Sequence, residues 1–342
     1  MDRRLDATTK YFHAAISDAG TDNRRAFYNP RDASAWYMFQ ANAYATDRLN
    51  WVPEEAARIV PALTRIGEEL PTLMSIGGVE ERATRIMNAE KSQPDGGLFE
   101  LLVALAYKRN GWSDVEFVPE QPGISQTPDI FVAQPRRRWA VECKRMDRSG
   151  YQAQEKARSE LLMQPVHDLA THLGRSIVIR VSFEAELSDV PDDYLLGRAQ
   201  EFFDRAHAHA WRDEFGIGTI RDVDWRLAHE VMDVDDVYFG SSRMIELLIG
   251  SYDHQFEHNI AGKWRPSSVR PLWASAVYQA SVISWRNSSY KAALRKARHF
   301  KSHIGKANNQ LPGDRPGVIH IGVESWSGIN VDSFRHFLNA VE

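Results

Sequence analysis

The chain has 342 residues, of which 43% are hydrophobic and 26% charged, and its net charge is −4. This composition is typical of a folded globular protein and excludes disorder throughout the chain. No apolar run approaches the roughly 18 residues of a membrane helix or resembles a signal peptide, and one cysteine excludes an internal disulfide and a thiolate zinc site, so we expect a cytoplasmic protein without membrane partners.

Residues 1–92 have the pattern of a helical N-terminal extension. Pro53 and the two acidic residues after it are typical of a first helical turn. The apolar residues Ile59, Leu63 and Ile66 then repeat at helical spacing, and Val79, Ala83 and Ile86 form a second such stripe. No motif in this region suggests chemistry. We therefore expect these helices to serve in packing, in homodimer formation or in binding a partner protein.

A Gly- and Pro-containing segment at residues 91–97 marks a domain boundary, and residues 93–342 are predicted to form one α/β domain with a basic C-terminal part. After the boundary the pattern changes to alternating helices and strands. The first predicted elements are a helix at 98–109, strands at 115–118, 130–133 and 139–143, a helix at 151–173 and a strand at 176–183.

The C-terminal part is strongly basic, because residues 258–313 contain ten Lys or Arg and no acidic residue. Because this segment contributes +10, the rest of the chain carries a net charge of −14, and the two sum to −4. Helices are predicted at 195–209, 290–306 and 333–340, and strands at 276–284 and 317–323. Loops are predicted at 188–193, 258–271 and 310–316.

Charged residues interrupt two short apolar strands in the stretch 127–145. Side chains alternate across a strand, so Glu142 and Lys144 share one face while Cys143 lies on the other. Asp129 begins the preceding strand, and a turn near residues 135–137 predicts a hairpin that brings Asp129 close to Glu142. Burying such charges is costly unless a further group compensates them.

A divalent metal ion is the compensation that these residue types favour. Two carboxylates, with waters and a phosphate oxygen, form an all-oxygen site suited to Mg²⁺, for which Mn²⁺ is able to substitute. Such an ion polarises a scissile phosphate and lowers the pKa of a bound water. Lys144 is then placed to orient that water or to stabilise the developing charge. The alternative is an edge hairpin with a surface Glu142–Lys144 pair.

The sequence Pro128-Asp129, followed after twelve residues by Glu142-Cys143-Lys144, resembles the PD-(D/E)xK motif of restriction-endonuclease-like nucleases. The resemblance covers residues 97–183 and implies an α/β core of helix, three-stranded meander, helix and strand. It also implies that Asp129 and Glu142 bind catalytic Mg²⁺ and that Lys144 assists the nucleophilic water. Many members carry a further glutamate on the first core helix near the metal, and Glu100 stands at that place.

Two pairs of segments compete for the last helix and strand of this core. The helix at 151–173 and the strand at 176–183 fit the order of elements more simply. The helix at 290–306 and the strand at 317–323 are the alternative, in which residues 151–275 would be partly an insertion. Either choice leaves additional α/β elements in the C-terminal part of the chain.

Basic residues near the motif and in the C-terminal helix are candidate nucleic-acid contacts. Arg145 and Arg148 flank the presumed site and suit bidentate binding of phosphates. The helix at 290–306 presents further cations at a spacing that places much of their charge on one face. These residues are Lys291, Arg295, Arg298 and Lys301.

We therefore expect a metal-dependent nuclease, cutting within the strand or from its end, that hydrolyses phosphodiester bonds in DNA, most simply duplex DNA. Family members often serve in restriction, antiviral defence or repair, so such a role is the expectation by analogy. Two alternatives stay open. One is a catalytically inactive nuclease-fold protein that binds nucleic acid or acts as a scaffold, and the other is an RNA endonuclease that uses the same residues.

Overall fold

The computed structural model describes residues 2–18, 27–47, 50–119, 127–146, 150–205, 209–270 and 272–323. These residues form a mixed α/β protein of two compact units, which confirms the predicted class. The first unit lies within Met1–Met146 and Ser302–Val323, and the second within Asp147–Lys301. The predicted boundary at residue 92 thus falls inside the first unit. The predicted helix at 333–340 lies outside the described residues.

Helices form the N-terminal part of the first unit, as the sequence predicts. Asp32 caps the second helix by accepting a hydrogen bond from the Ala35 backbone N–H at 3.2 Å, and it also binds the guanidinium of Arg4. Phe12 and Trp36 bury their rings against each other between the first two helices. The helices are α1 (Asp2–Asp18), α2 (Ala33–Thr46), α3 (Pro53–Glu68), α4 (Leu70–Met74), α5 (Val79–Met87) and α6 (Asp95–Arg109).

The sheet of the first unit has four strands in the order β1-β2-β3-β10. The first three strands form an antiparallel meander, and β10 pairs with β3 in parallel. The strands are β1 (Asp114–Phe117), β2 (Ile130–Gln134), β3 (Arg137–Arg145) and β10 (Gly317–Gly322). Helix α6 covers one face of this sheet, where Leu101 and Leu105 pack with Val141 and Cys143. The predicted alternation of β3 is therefore confirmed.

The second unit contains a separate sheet with helices on both faces. Its strand order is β5-β6-β4-β9-β7, and β8 also pairs with β9. Helices α7 and α8 pack on one face and α9 and α10 on the other. The elements are α7 (Gly150–His172), β4 (Ile177–Phe183), α8 (Tyr194–Arg205), β5 (His209–Arg212), β6 (Gly216–Asp222), α9 (Arg226–Met232), β7 (Val237–Tyr238), α10 (Ser242–Ile249), β8 (Glu257–Pro266), β9 (Trp273–Asn287) and α11 (Tyr290–Asn308), whose residues from Ser302 onward belong to the first unit.

The choice between the two candidate strands is decided by this topology. Strand β4 pairs with β6 and β9 in the second unit, whereas β10 pairs with β3 from Ala140 to Arg145. The simpler expectation, in which residues 151–183 complete the first sheet, is therefore wrong. Residues 147–301 interrupt the first unit, and the chain returns to it at Ser302.

Two local predictions also differ from the structure. Residues 258–271 were expected to form a loop, but Glu257–Pro266 is a strand that pairs with β9. Gly262 lies so close to β9 that a Cβ there would be 2.2 Å from the carbonyl oxygen of Gln279. Glycine has a weak strand propensity, but this close cross-strand pairing requires a residue without a side chain. Of the helix predicted at 195–209, the structure describes Tyr194–Arg205 as helical, and His209 belongs to strand β5. None of the helices in the described part of the chain has the length and apolar character to cross a membrane.

Candidate active site

The β2–β3 hairpin places Asp129 beside Glu142. Ile130 pairs with Val141, and continuing this antiparallel register by one residue places Asp129 opposite Glu142. The Asp129 carboxylate is fixed there because its Oδ2 accepts a hydrogen bond of 2.7 Å from the backbone N–H of Cys143. The hairpin therefore brings the carboxylates of Asp129 and Glu142 together, as the sequence predicts.

Glu142 is fully buried, with no exposed surface. Neither carboxylate oxygen accepts a hydrogen bond of regular geometry, although Oε1 forms an ion pair with the Lys144 ammonium on the same strand face. Burial raises the pKa of Glu142 well above its ordinary value of 4.5, and the negative charge of Asp129 raises it further. Lys144 opposes this shift. The site is thus short of positive charge around Glu142.

Glu100 enters the site from α6 and is 8% exposed. Its Oε1 accepts a hydrogen bond of 2.5 Å from Nη2 of Arg82, which lies on α5. Burial raises the pKa of Glu100, the charge of Asp129 raises it further, and Arg82 lowers it. Glu100 is therefore close enough to Asp129 to sense its charge, and its carboxylate is bound by an arginine.

Arg82 belongs to this site but is not predicted from the sequence, because the N-terminal helices are expected to carry no chemistry. The contact depends on Gly97 of α6, where a Cβ would lie 2.3 Å from Cγ1 of Ile86. This close approach lets α5 bring Arg82 to Glu100. A signal was present in the sequence: Val79, Arg82 and Ile86 are the buried positions of α5, so an arginine lies within its apolar stripe.

The carboxylates of the site offer a place for one divalent ion. No group of three or more His, Cys, Asp or Glu side chains suited to metal binding occurs within the residues that the structure describes. Asp129 and Glu142 nevertheless fit one cation, because both Glu142 oxygens are buried without a hydrogen bond of regular geometry, only Oε1 has a described ion pair, and Asp129 places a second carboxylate beside them. Glu100, the third predicted ligand, is bound to Arg82 instead of lying unpaired.

The predicted nucleic-acid contacts are only partly brought to one surface. On α11, Lys291, Arg295 and Arg298 are exposed at positions i, i+4 and i+7, as the helical spacing predicts, whereas Lys301 is half-buried. Arg295 also pairs with Glu186 at 2.9 Å. Of the remaining two candidates, Arg145 is half-buried at the end of β3, and Arg148 lies outside the described residues.

Comparisons of the chain with family models, with curated proteins and with solved structures gave no match. The carboxylates, the lysine and the arginine of the site are therefore the basis for its function.

Proposed function

We propose that this chain is a Mg²⁺-dependent nuclease of the PD-(D/E)xK type that hydrolyses phosphodiester bonds in DNA. The observation that carries the proposal is the position of Asp129 beside Glu142 at the end of the hairpin, with Lys144 on the same strand face as Glu142. The order of α6, the β1–β3 meander, the end of α11 from Ser302 onward and the parallel strand β10 in the first unit supports a restriction-endonuclease-like core.

Each residue has a distinct chemical task in this proposal. Asp129 and Glu142 would hold Mg²⁺, or Mn²⁺ in its place, because carboxylate oxygens are the ligands that both ions prefer. A bound ion supplies a polarised phosphate and a more acidic water. The Lys144 ammonium, kept beside Glu142, orients the nucleophilic water or stabilises the negative charge that develops on the phosphate.

Helix α11 supports nucleic acid as the substrate class. Lys291 and Arg298 are exposed and form no ion pair with any residue that the structure describes, so their charge is free to bind phosphates. Such contacts add affinity without reading the base sequence. Duplex DNA, a cytoplasmic location, a role in restriction, antiviral defence or repair, and self-association through the N-terminal helices belong to the same proposal.

A substrate panel tests the reaction. Purified protein is incubated with supercoiled plasmid, linear duplex DNA and single-stranded RNA, each with Mg²⁺, with Mn²⁺ and with EDTA. We expect DNA cleavage in Mg²⁺ or Mn²⁺ and none in EDTA. Cleavage confined to RNA would instead assign an RNA endonuclease, which needs the same site residues.

The second candidate is a nuclease-fold protein that binds nucleic acid without cutting it. The observation that favours it is the engagement of Glu100 by Arg82, which leaves two carboxylates for a metal. A Mg²⁺ titration separates the two candidates. A nuclease is expected to gain thermal stability from Mg²⁺ and to lose that gain in Glu142→Gln, whereas a binding protein shows no such gain.

A further inference from the structure

A buried arginine, Arg82, binds the carboxylate of Glu100, the third acidic residue of the site. Arg82 and Glu100 are 9% and 8% exposed, and the Nη2–Oε1 distance between them is 2.5 Å. The other terminal nitrogen of Arg82, Nη1, donates to Glu90 at 3.2 Å. Both ends of the guanidinium are thus bound to carboxylates inside the first unit.

This arrangement restricts where a cation can bind. An arginine stays protonated at any working pH, and a buried guanidinium repels a nearby cation strongly because the surroundings screen poorly. Binding of Arg82 therefore weakens the affinity of the Glu100 carboxylate for a metal ion. Glu142 is different, because its described ion pair is with Lys144, which is only half-buried.

The charge balance points the same way. Four carboxylates, those of Asp129, Glu142, Glu100 and Glu90, lie in this group, and the cationic side chains in their described ion pairs are Arg82, Arg85 and Lys144, so the ionised carboxylates are in excess by one charge. One divalent ion more than offsets this excess. A second ion would add two further positive charges to a buried site, which is costly without additional anions.

We propose that Arg82 occupies the place of a second metal ion, so that the site binds a single divalent cation at Asp129 and Glu142. Glu100 is then a positioning residue, which holds Arg82 beside the carboxylate pair, and it is not a metal ligand. The N-terminal helices are part of the site, because α5 supplies Arg82. This inference rests on the proposed function, since it concerns the metal that the nuclease would use.

Counting bound Mn²⁺ tests the inference without relying on activity. Electron paramagnetic resonance and calorimetry on the full chain give the number of ions and their Kd. We expect one Mn²⁺ in the wild type, and a gain of one ion in Arg82→Gln, where Glu100 becomes available. Two ions in the wild type, or an unchanged count in folded Arg82→Gln, would overturn the inference.

Further variants keep the test decisive if Arg82→Gln does not fold. Glu100→Gln is expected to bind one Mn²⁺ with unchanged Kd, and loss or marked weakening of binding would make Glu100 a ligand and refute the inference. Arg85→Gln is the matched control, because Arg85 lies on the same helix and pairs with Glu90 but not with Glu100. It is expected to bind one ion.

The proposed function and this inference fail in different ways. If the wild type binds no Mn²⁺, or binds it equally well after Asp129→Asn, the metal site itself is refuted and both fall. If the wild type binds one ion that requires Asp129, and Arg82→Gln also binds one, the metal site stands and the role of Arg82 is refuted.

Discussion

At the scale of single residues, the buried carboxylate of Glu142 is the feature that most needs a physical reason. A carboxylate with no exposed surface, no regular hydrogen bond and a second carboxylate beside it destabilises the folded chain. The ion pair with Lys144 compensates only in part. Such a residue is explained if a cation binds there, because the same arrangement that costs stability creates affinity for a metal.

Glu142→Gln is predicted to stabilise the metal-free protein at alkaline pH. A carboxyl group whose pKa is raised by folding holds its proton more tightly in the folded state, so its contribution to stability is lost as pH rises from 4.5 through the raised pKa. Glutamine has no proton to lose, and we expect a gain of about 1–3 kcal/mol in the free energy of unfolding at pH 8. Urea denaturation measures it.

The control and the pH series make this prediction specific. The gain from Glu142→Gln should vanish at pH 4, where Glu142 itself is protonated. Glu116→Gln changes an exposed glutamate on β1 and should alter stability little at either pH. An equal gain at pH 4 and pH 8 would show that the effect comes from packing and not from charge.

At the scale of elements, the contact between α5 and α6 decides whether Arg82 reaches Glu100. Ile86 of α5 packs onto α6 at Gly97, and Arg82 lies one turn away from Ile86, opposite Glu100. A glycine within a helix usually lowers stability relative to alanine. Here the missing side chain makes room for the neighbouring helix.

Gly97→Ala is predicted to separate α5 from α6. The added Cβ would lie 2.3 Å from Cγ1 of Ile86. We expect a loss of about 1–3 kcal/mol in the free energy of unfolding, as is typical of overpacking. Gly96→Ala is the matched control, since nothing lies within 4 Å of a Cβ at that position. It should stabilise the chain by about 0.4–1 kcal/mol. Equal effects of the two substitutions would contradict the packing argument.

Helix α11 carries a prediction about binding. Replacing Lys291 and Arg298 together with alanine should weaken DNA binding and reduce the slope of log Kd against log salt concentration by about two, one for each lost phosphate contact. Fluorescence anisotropy across a salt series measures the slope.

The control for this variant keeps the same change in charge. Arg226→Ala with Arg243→Ala also removes two exposed arginines, but these already pair with Asp224 and Glu246. An equal change in slope for both double variants would mean that net charge, and not α11, determines binding.

The strands of the first sheet were predictable because their alternating patterns and turn residues are local signals. The choice between β4 and β10 was not, because both are apolar strands that follow a long helix. Pairing with β3 decides between them, and it acts over a large separation in sequence. The same reason explains β8, whose residues resemble a loop until they pair with β9.

At the scale of the whole molecule, the first unit is assembled from both parts of the chain that flank residues 147–301. The three central site residues were predictable because they lie within 16 positions of each other on one hairpin. Arg82 was not, because its contact with Glu100 requires two helices to pack. The basic segment at residues 258–313 falls largely in the second unit, so the site and much of the positive charge belong to different units.

Plasmid cleavage by the wild type and Lys144→Ala, with Mg²⁺ and with EDTA, tests the central claim most directly. Lys108→Ala is the control, because Lys108 is also half-buried in the first unit but donates to the carbonyl oxygen of Ser113 at 2.9 Å. We predict Mg²⁺-dependent cleavage by the wild type and Lys108→Ala, and a loss of at least about 10²-fold in Lys144→Ala. Cleavage by Lys144→Ala at the wild-type rate would contradict the assignment of this site.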